Sequence, residues 1–140
     1  PDRLFLGVKG GYGRQRRRER PNVELIDTQH DMRDVWRRTR VLLMPSDRES
    51  FGRVGLEAMA SGIPVLAHPT PGLIESLGGA ATFIDRSDIA AWVRHIRRLE
   101  DQAEWQAASD RARQHADSFD REAHLTTFRT AIEGLVGVPA

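Results

Sequence analysis

The 140 residues carry 21 basic and 20 acidic side chains, 39% hydrophobic residues and no cysteine. This composition fits one globular domain, long enough to bury about two thirds of its unfolded surface. It excludes a disordered chain, a disulfide scaffold and a thiolate metal site, and points to the cytoplasm. No apolar run approaches the roughly 20 residues that span a bilayer. The charge is uneven: residues 1–40 hold 11 basic and 6 acidic groups, net +5, and residues 41–140 hold 10 and 14, net −4. Twenty of the 21 basic residues are arginine, with Lys9 the exception, a coding bias expected of a GC-rich bacterial genome.

In chain order, five short apolar runs read as strands: Leu4–Val8, Val23–Ile26, Val41–Met44, Pro64–Ala67 and Ala81–Ile84. Most are continuously apolar, as expected of parallel strands covered on both faces. A short helix over Asp31–Thr39 precedes the third strand. A mostly apolar one over Arg53–Ser61 ends at Gly62, with Pro64 beyond. A third spans Gly72–Leu77. Ser87 is expected to cap a helix whose stripe is Ile89, Val93, Ile96 and Leu99. Two more follow, over Gln102–Ser118 (Trp105, Ala108, Ala112, Phe119) and Arg121–Leu135 (Leu125, Phe128, Ile132). This order is α/β: a Rossmann-like, doubly wound parallel sheet of about five strands with extra C-terminal helices.

In such sheets ligands lie beyond the carboxyl ends of the strands, where Pro45–Phe51 leaves the third strand. The amides of Phe51 to Val54 would open the next helix unpaired, an anion site strengthened by the helix dipole. Gly52 removes a Cβ from the approach of a phosphate. Glu49 and Glu57 flank that turn, eight residues apart. A carboxylate there repels phosphate but accepts two hydrogen bonds from a vicinal diol. Hydroxyls on both sides of a diphosphate describe a sugar nucleotide. From geometry alone the pair reads first as a structural feature, since the helix dipole favours an early glutamate.

The string ESFGRVGLEAMASGIPV, residues 49–65, changes that balance. It resembles the E-x7-E signature of retaining, family-4-like (group 1) glycosyltransferases with the GT-B fold. VLLMPS before it, PGLIESLG after it and DRSDIAAWVRHIRRL further on agree, so the resemblance extends over about residues 4–100. It implies that Glu49 is catalytic, meeting hydroxyls of the donor sugar beside the reacting carbon. Ser50, Phe51, Gly52, Arg53 and Val54 would bind sugar and phosphate, Glu57 the ribose diol, and Ile26 and Gln29 the base. Arg53 and Gly55 stand where the family often has aliphatic residues, and PTPG where many members have a second glycine. The implied reaction is hexosyl transfer from a nucleotide-diphosphate sugar with retention, with no metal and no other cofactor. The alternative is a non-catalytic nucleotide-sugar-binding or interaction module. A dinucleotide-binding domain is disfavoured, because GVKGGYG has its glycines at the wrong spacing.

The family pairs two Rossmann-like domains. Residues 1–140 correspond to the donor-binding one, without the N-terminal acceptor domain and without the first strand of this domain with its Arg and Lys. The chain is therefore expected to be inactive alone, with the N-terminal domain as partner and any peripheral membrane association arising through the full-length enzyme. With that strand absent, the remaining five are expected to close into the order 2-1-3-4-5. The basic run Gly13–Arg20 lacks interleaved aromatics, so a solvated connector is preferred to nucleic-acid binding. His30, His68, His95, His115 and His124 show no ligand spacing. His68 follows the fourth strand and is the one candidate to line the crevice. Trp92 and Trp105 read as packing, and the resemblance makes Phe119 with the last helix part of a segment that crosses back to the first domain, its apolar face otherwise exposed or packed on a neighbour.

Overall fold

A computed structural model describes residues 4–6, 22–26, 31–119 and 121–136. The basic run Gly13–Arg20, Lys9, Gln29 and His30 lie outside them. Five strands form among the described residues: β1 (Leu4–Leu6), β2 (Val23–Leu25), β3 (Leu42–Met44), β4 (Val65–Ala67) and β5 (Thr82–Phe83). All pairing is parallel, with Leu4 opposite Val23, Leu42 opposite Val65 and Leu66 opposite Thr82. Pro64 lacks an N–H, yet its carbonyl accepts from Leu42 at 3.0 Å, so the ladder begins one residue before β4.

β4 shows why the runs are continuously apolar. Val65 and Ala67 face one buried cluster with Met59, Leu73 and Leu77, while Leu66 faces another with Ile84, Trp92 and Leu99. Alternate side chains thus fill two cores, one on each face of the sheet. The first core is covered by α2 (Arg53–Ala60) and α3 (Pro71–Leu77), the second by α4 (Ile89–Arg98), and α5 (Gln102–Asp117) reaches both, with Ala112 in the first and Ala108 in the second. α1 (Arg33–Arg37) and α6 (Arg121–Val136) complete the α-helices, and a 3-10 turn spans Gly78–Ala80.

The expected closed sheet does not form. β1–β2 and β3–β4–β5 are separate ladders, and no pairing joins β1 to β3 among the described residues. β3 is fixed by β4 at its edge and by α2 across its face. Strand and helix are thus packed as one unit, which β1 does not join by pairing among the described residues.

Helix ends follow local chemistry. α2 stops in a Schellman turn: Gly62 has φ +73°, its N–H donates to Met59 at 2.8 Å, and that of Ile63 donates to Ala58 at 2.9 Å. The Ser109 hydroxyl on α5 donates to the Gly62 carbonyl at 2.6 Å, tying the two helices. α4 departs from expectation twice. Asp88 caps it, accepting from Ala91 N–H at 2.8 Å, while Ser87 turns its hydroxyl to Asp85. The buried stripe is Ala91, Trp92 and Leu99 with Ile96 half-buried, whereas Ile89 is 67% and Val93 40% exposed. Trp92 wins the core because its ring is the larger apolar body and its indole N–H finds the Asp85 carbonyl at 3.0 Å. Arg40 joins β3 to the α4–α5 turn. It donates to the Leu99 carbonyl at 3.0 Å and lies 5.2 Å over the Trp105 ring, whose N–H returns to the Arg40 carbonyl. On α6, Leu125, Phe128 and Ile132 are exposed. No helix among the described residues is long and apolar enough to cross a membrane.

Candidate functional site

The loops leaving β3, β4 and β5 share one edge of the sheet. The first, Pro45–Gly52, is shaped by two glycines. Gly52 is buried with φ +72° and ψ +42°, a left-handed turn into α2. A Cβ there would run into Leu73 Cδ2 and sit 3.6 Å from Glu49 Cγ, so the half-buried Glu49 side chain folds over this turn. At Gly72, a Cβ would strike the carbonyl oxygens of Glu49 and Ser50. The loop therefore rests with its backbone directly on the first turn of α3. That turn is itself held by the Thr70 hydroxyl, which accepts from Leu73 N–H at 3.3 Å.

The helix mouth keeps its donors free. The N–H groups of Gly55 and Leu56 turn back to the Gly52 carbonyl at 2.8 and 3.4 Å. Those of Phe51, Gly52, Arg53 and Val54 have no partner among the described residues. With the dipole of α2 behind them, they can donate hydrogen bonds to an anion. Glu49 and Ser50 line an open cleft of about 720 Å³ together with Asp47, Arg48, Thr70, Pro71, Gly72 and Glu75.

The expected site residues are only partly brought together. Phe51 is 43% exposed and turns to Phe119 on the far side of the loop. Arg53 and Glu57 are exposed and meet each other at 3.8 Å, and Glu57 does not line the cleft. Ile26 is half-buried just past β2, and Gln29 lies outside the described residues. Of the histidines, His68 stands at this edge. Its Nδ1 accepts from the Arg86 N–H at 3.1 Å, which leaves Nε2 to carry the proton of the neutral ring.

Asp47, Arg48 and Glu75 went unnoticed in the sequence. Asp47 meets Arg86 across the loops at 3.0 Å, and that hydrogen bond holds its carboxyl below the usual carboxylate range. Asp85 is likewise lowered, first by the Ser87 hydroxyl and then by the Ser87 N–H. Glu75 had a legible signal, standing three residues after Gly72, one turn along the face that carries the loop. No group of three acidic or histidine side chains suited to a metal ion occurs among the described residues.

Comparisons with known proteins give the family and the fold. The family model "Glycosyl transferases group 1" matches residues 6–102. The D-inositol 3-phosphate glycosyltransferase of Streptomyces coelicolor is 36% identical over 102 residues, which make up 71% of this chain and 22% of that protein. The D-inositol 3-phosphate glycosyltransferase 1 of Catenulispora acidiphila is 34% identical over 149 residues, 99% of this chain and 34% of its own length. Among solved structures, sucrose-phosphate synthase from Thermosynechococcus elongatus has a TM-score of 0.72 and 26% identity over 84% of this chain and 31% of its own. WaaG, a glycosyltransferase involved in lipopolysaccharide biosynthesis, has a TM-score of 0.60 and 27% identity over 71% of this chain and 28% of its own. The chain thus spans about a third or less of the length of these proteins. It has a Rossmann-like α/β fold of the GT-B kind and belongs to the group 1 glycosyltransferases.

Proposed function

We propose that this chain is the donor half of a retaining hexosyltransferase and binds a nucleotide-diphosphate sugar at the mouth of α2. The observation that carries the reading is the juxtaposition at Gly52. Unpartnered amides of Phe51 to Val54 stand beside a half-buried Glu49, next to a cleft wide enough for a sugar. In this reading the amides take the distal phosphate and stabilise the departing diphosphate. Glu49 accepts hydrogen bonds from sugar hydroxyls beside the reacting carbon and is the catalytic residue. Glu57 exchanges its long contact with Arg53 for the ribose diol, and Ile26 and Gln29 border the base. The chemistry needs no metal, and the setting is cytoplasmic.

A facing domain supplies the acceptor, so these residues alone bind without transferring; the short span relative to the relatives supports that division. The relatives' name makes D-inositol 3-phosphate the first acceptor to try. The test is amide mapping of the 15N-labelled chain with UDP, GDP and ADP. Shifts concentrated at residues 50–57 for one nucleotide support the reading, and shifts confined to other surfaces refute it.

A further inference from the structure

The Pro45–Gly52 loop is held at two points, and only one of them belongs to its own backbone. Gly72 and Leu73 of α3 press on the carbonyls of Glu49 and Ser50 and on the Cα of Gly52. On the other side the Phe51 ring stands edge-to-face on Phe119, with centroids 6.4 Å apart and planes at 82°. That is the separation and tilt at which the ring quadrupoles attract. Phe119 is braced in turn by the His115 ring, 5.5 Å away at 73°. His115 is pinned because its Nε2–H donates to the Ser76 carbonyl at 2.8 Å, and its Cε1 lies 3.1 Å from where a Cβ of Gly78 would stand. Ser76 is on α3, the helix that carries Gly72. The contacts therefore close a ring: loop, Phe51, Phe119, His115, α3 and loop again.

We infer that Phe119 is a positioning residue for the candidate site, acting through Phe51 to fix the peptide planes of residues 50–53; this rests on the donor-binding reading above. A 43% exposed phenylalanine in a binding loop gains little from burial. Its edge-to-face contact is what distinguishes one orientation of the Phe51 peptide from its alternatives. Those peptides carry the free N–H groups of the helix mouth, so their orientation sets whether the donors converge on a phosphate. Phe119 lies two residues past α5, the helix that packs hardest on α2. The loop is thereby referenced to the rigid body of the domain instead of to its own flexible span.

The test compares the full chain with Phe119→Ala, Phe119→Tyr and Phe51→Leu. Amide shifts of residues 50–54 are measured without ligand, and affinities for UDP-glucose, GDP-mannose and ADP-glucose by saturation transfer. Expected is a shift of these amides in Phe119→Ala and Phe51→Leu, with affinity for the bound donor about three- to tenfold weaker. Phe119→Tyr, which keeps the ring, restores both. Loop amides that stay in place in both variants overturn the inference, as does a loss that tyrosine does not restore. If Phe119→Ala unfolds, Phe51→Leu decides alone, since its exposed ring supports no core. If the native chain binds none of the three donors, the donor-binding reading fails, and the amide shifts still decide whether Phe119 positions the loop.

Discussion

Gly52 concentrates the chemistry of the loop in one backbone angle. Any side chain there pays for a left-handed φ and also meets Leu73. Gly52→Ala is expected to lower the unfolding free energy by about 1–3 kcal/mol, read from the urea midpoint. Glu49 tests chemistry instead. In a full-length enzyme, Glu49→Gln should slow transfer by about a hundredfold or more while leaving the far-ultraviolet circular dichroism unchanged. Asp47 supplies a pH effect. Its folded carboxyl is depressed by Arg86, so the stabilisation is present above the ordinary aspartate range near pH 3.9 and is lost as pH falls through the lower folded value. Arg86→Ala should remove that acid limb from the stability profile and leave the neutral region nearly flat, as checked by thermal melts from pH 7 to 2.5. At this scale the sequence offered a motif at Glu49 to Glu57, of which Glu49 and Ser50 line the cleft and Glu57 does not. Asp47 and Arg86 are brought together by the fold across two loops, and nothing in their separate sequence neighbourhoods says so.

Individual elements were readable to within a residue or two where apolar periodicity had one solution. α2 and its glycine stop, α3 and α5 are of this kind. α4 had two solutions. Ile89, Val93 and Ile96 make as regular a stripe as Trp92, Ile96 and Leu99, and the larger apolar ring of Trp92 with the Asp85 carbonyl for its indole N–H decides between them. Trp92→Ala should cost about 3–5 kcal/mol and Ile89→Ala under about 0.5 kcal/mol, measured by urea unfolding of the two variants side by side. Equal losses would return the helix to the stripe expected from the sequence.

Across the whole molecule, the sequence announced a doubly wound parallel sheet but not where it breaks. Strand runs such as Val65–Ala67 reveal burial on both faces, yet a strand's neighbours are chosen by the helices that carry it, and these are not written in the run itself. With β1–β2 and β3–β4–β5 as separate ladders, the amides of β4 should exchange slowest with solvent, and those of β2 at least about a hundredfold faster. Uniform protection across all five strands would restore the closed sheet. The exposed Leu125, Phe128 and Ile132 on α6 belong to the same scale, as apolar surface that the described residues leave open.

The proposed donor site is tested most directly by ligand-observed saturation transfer to UDP-, GDP- and ADP-sugars from the native chain and from Glu57→Ala. Expected is transfer to one nucleotide sugar, strongest at its ribose protons and lost in the variant while the fold remains intact. Equal transfer from the native chain and from the variant would remove Glu57 from the ribose, and no transfer from the native chain to any donor would contradict a donor site at the mouth of α2.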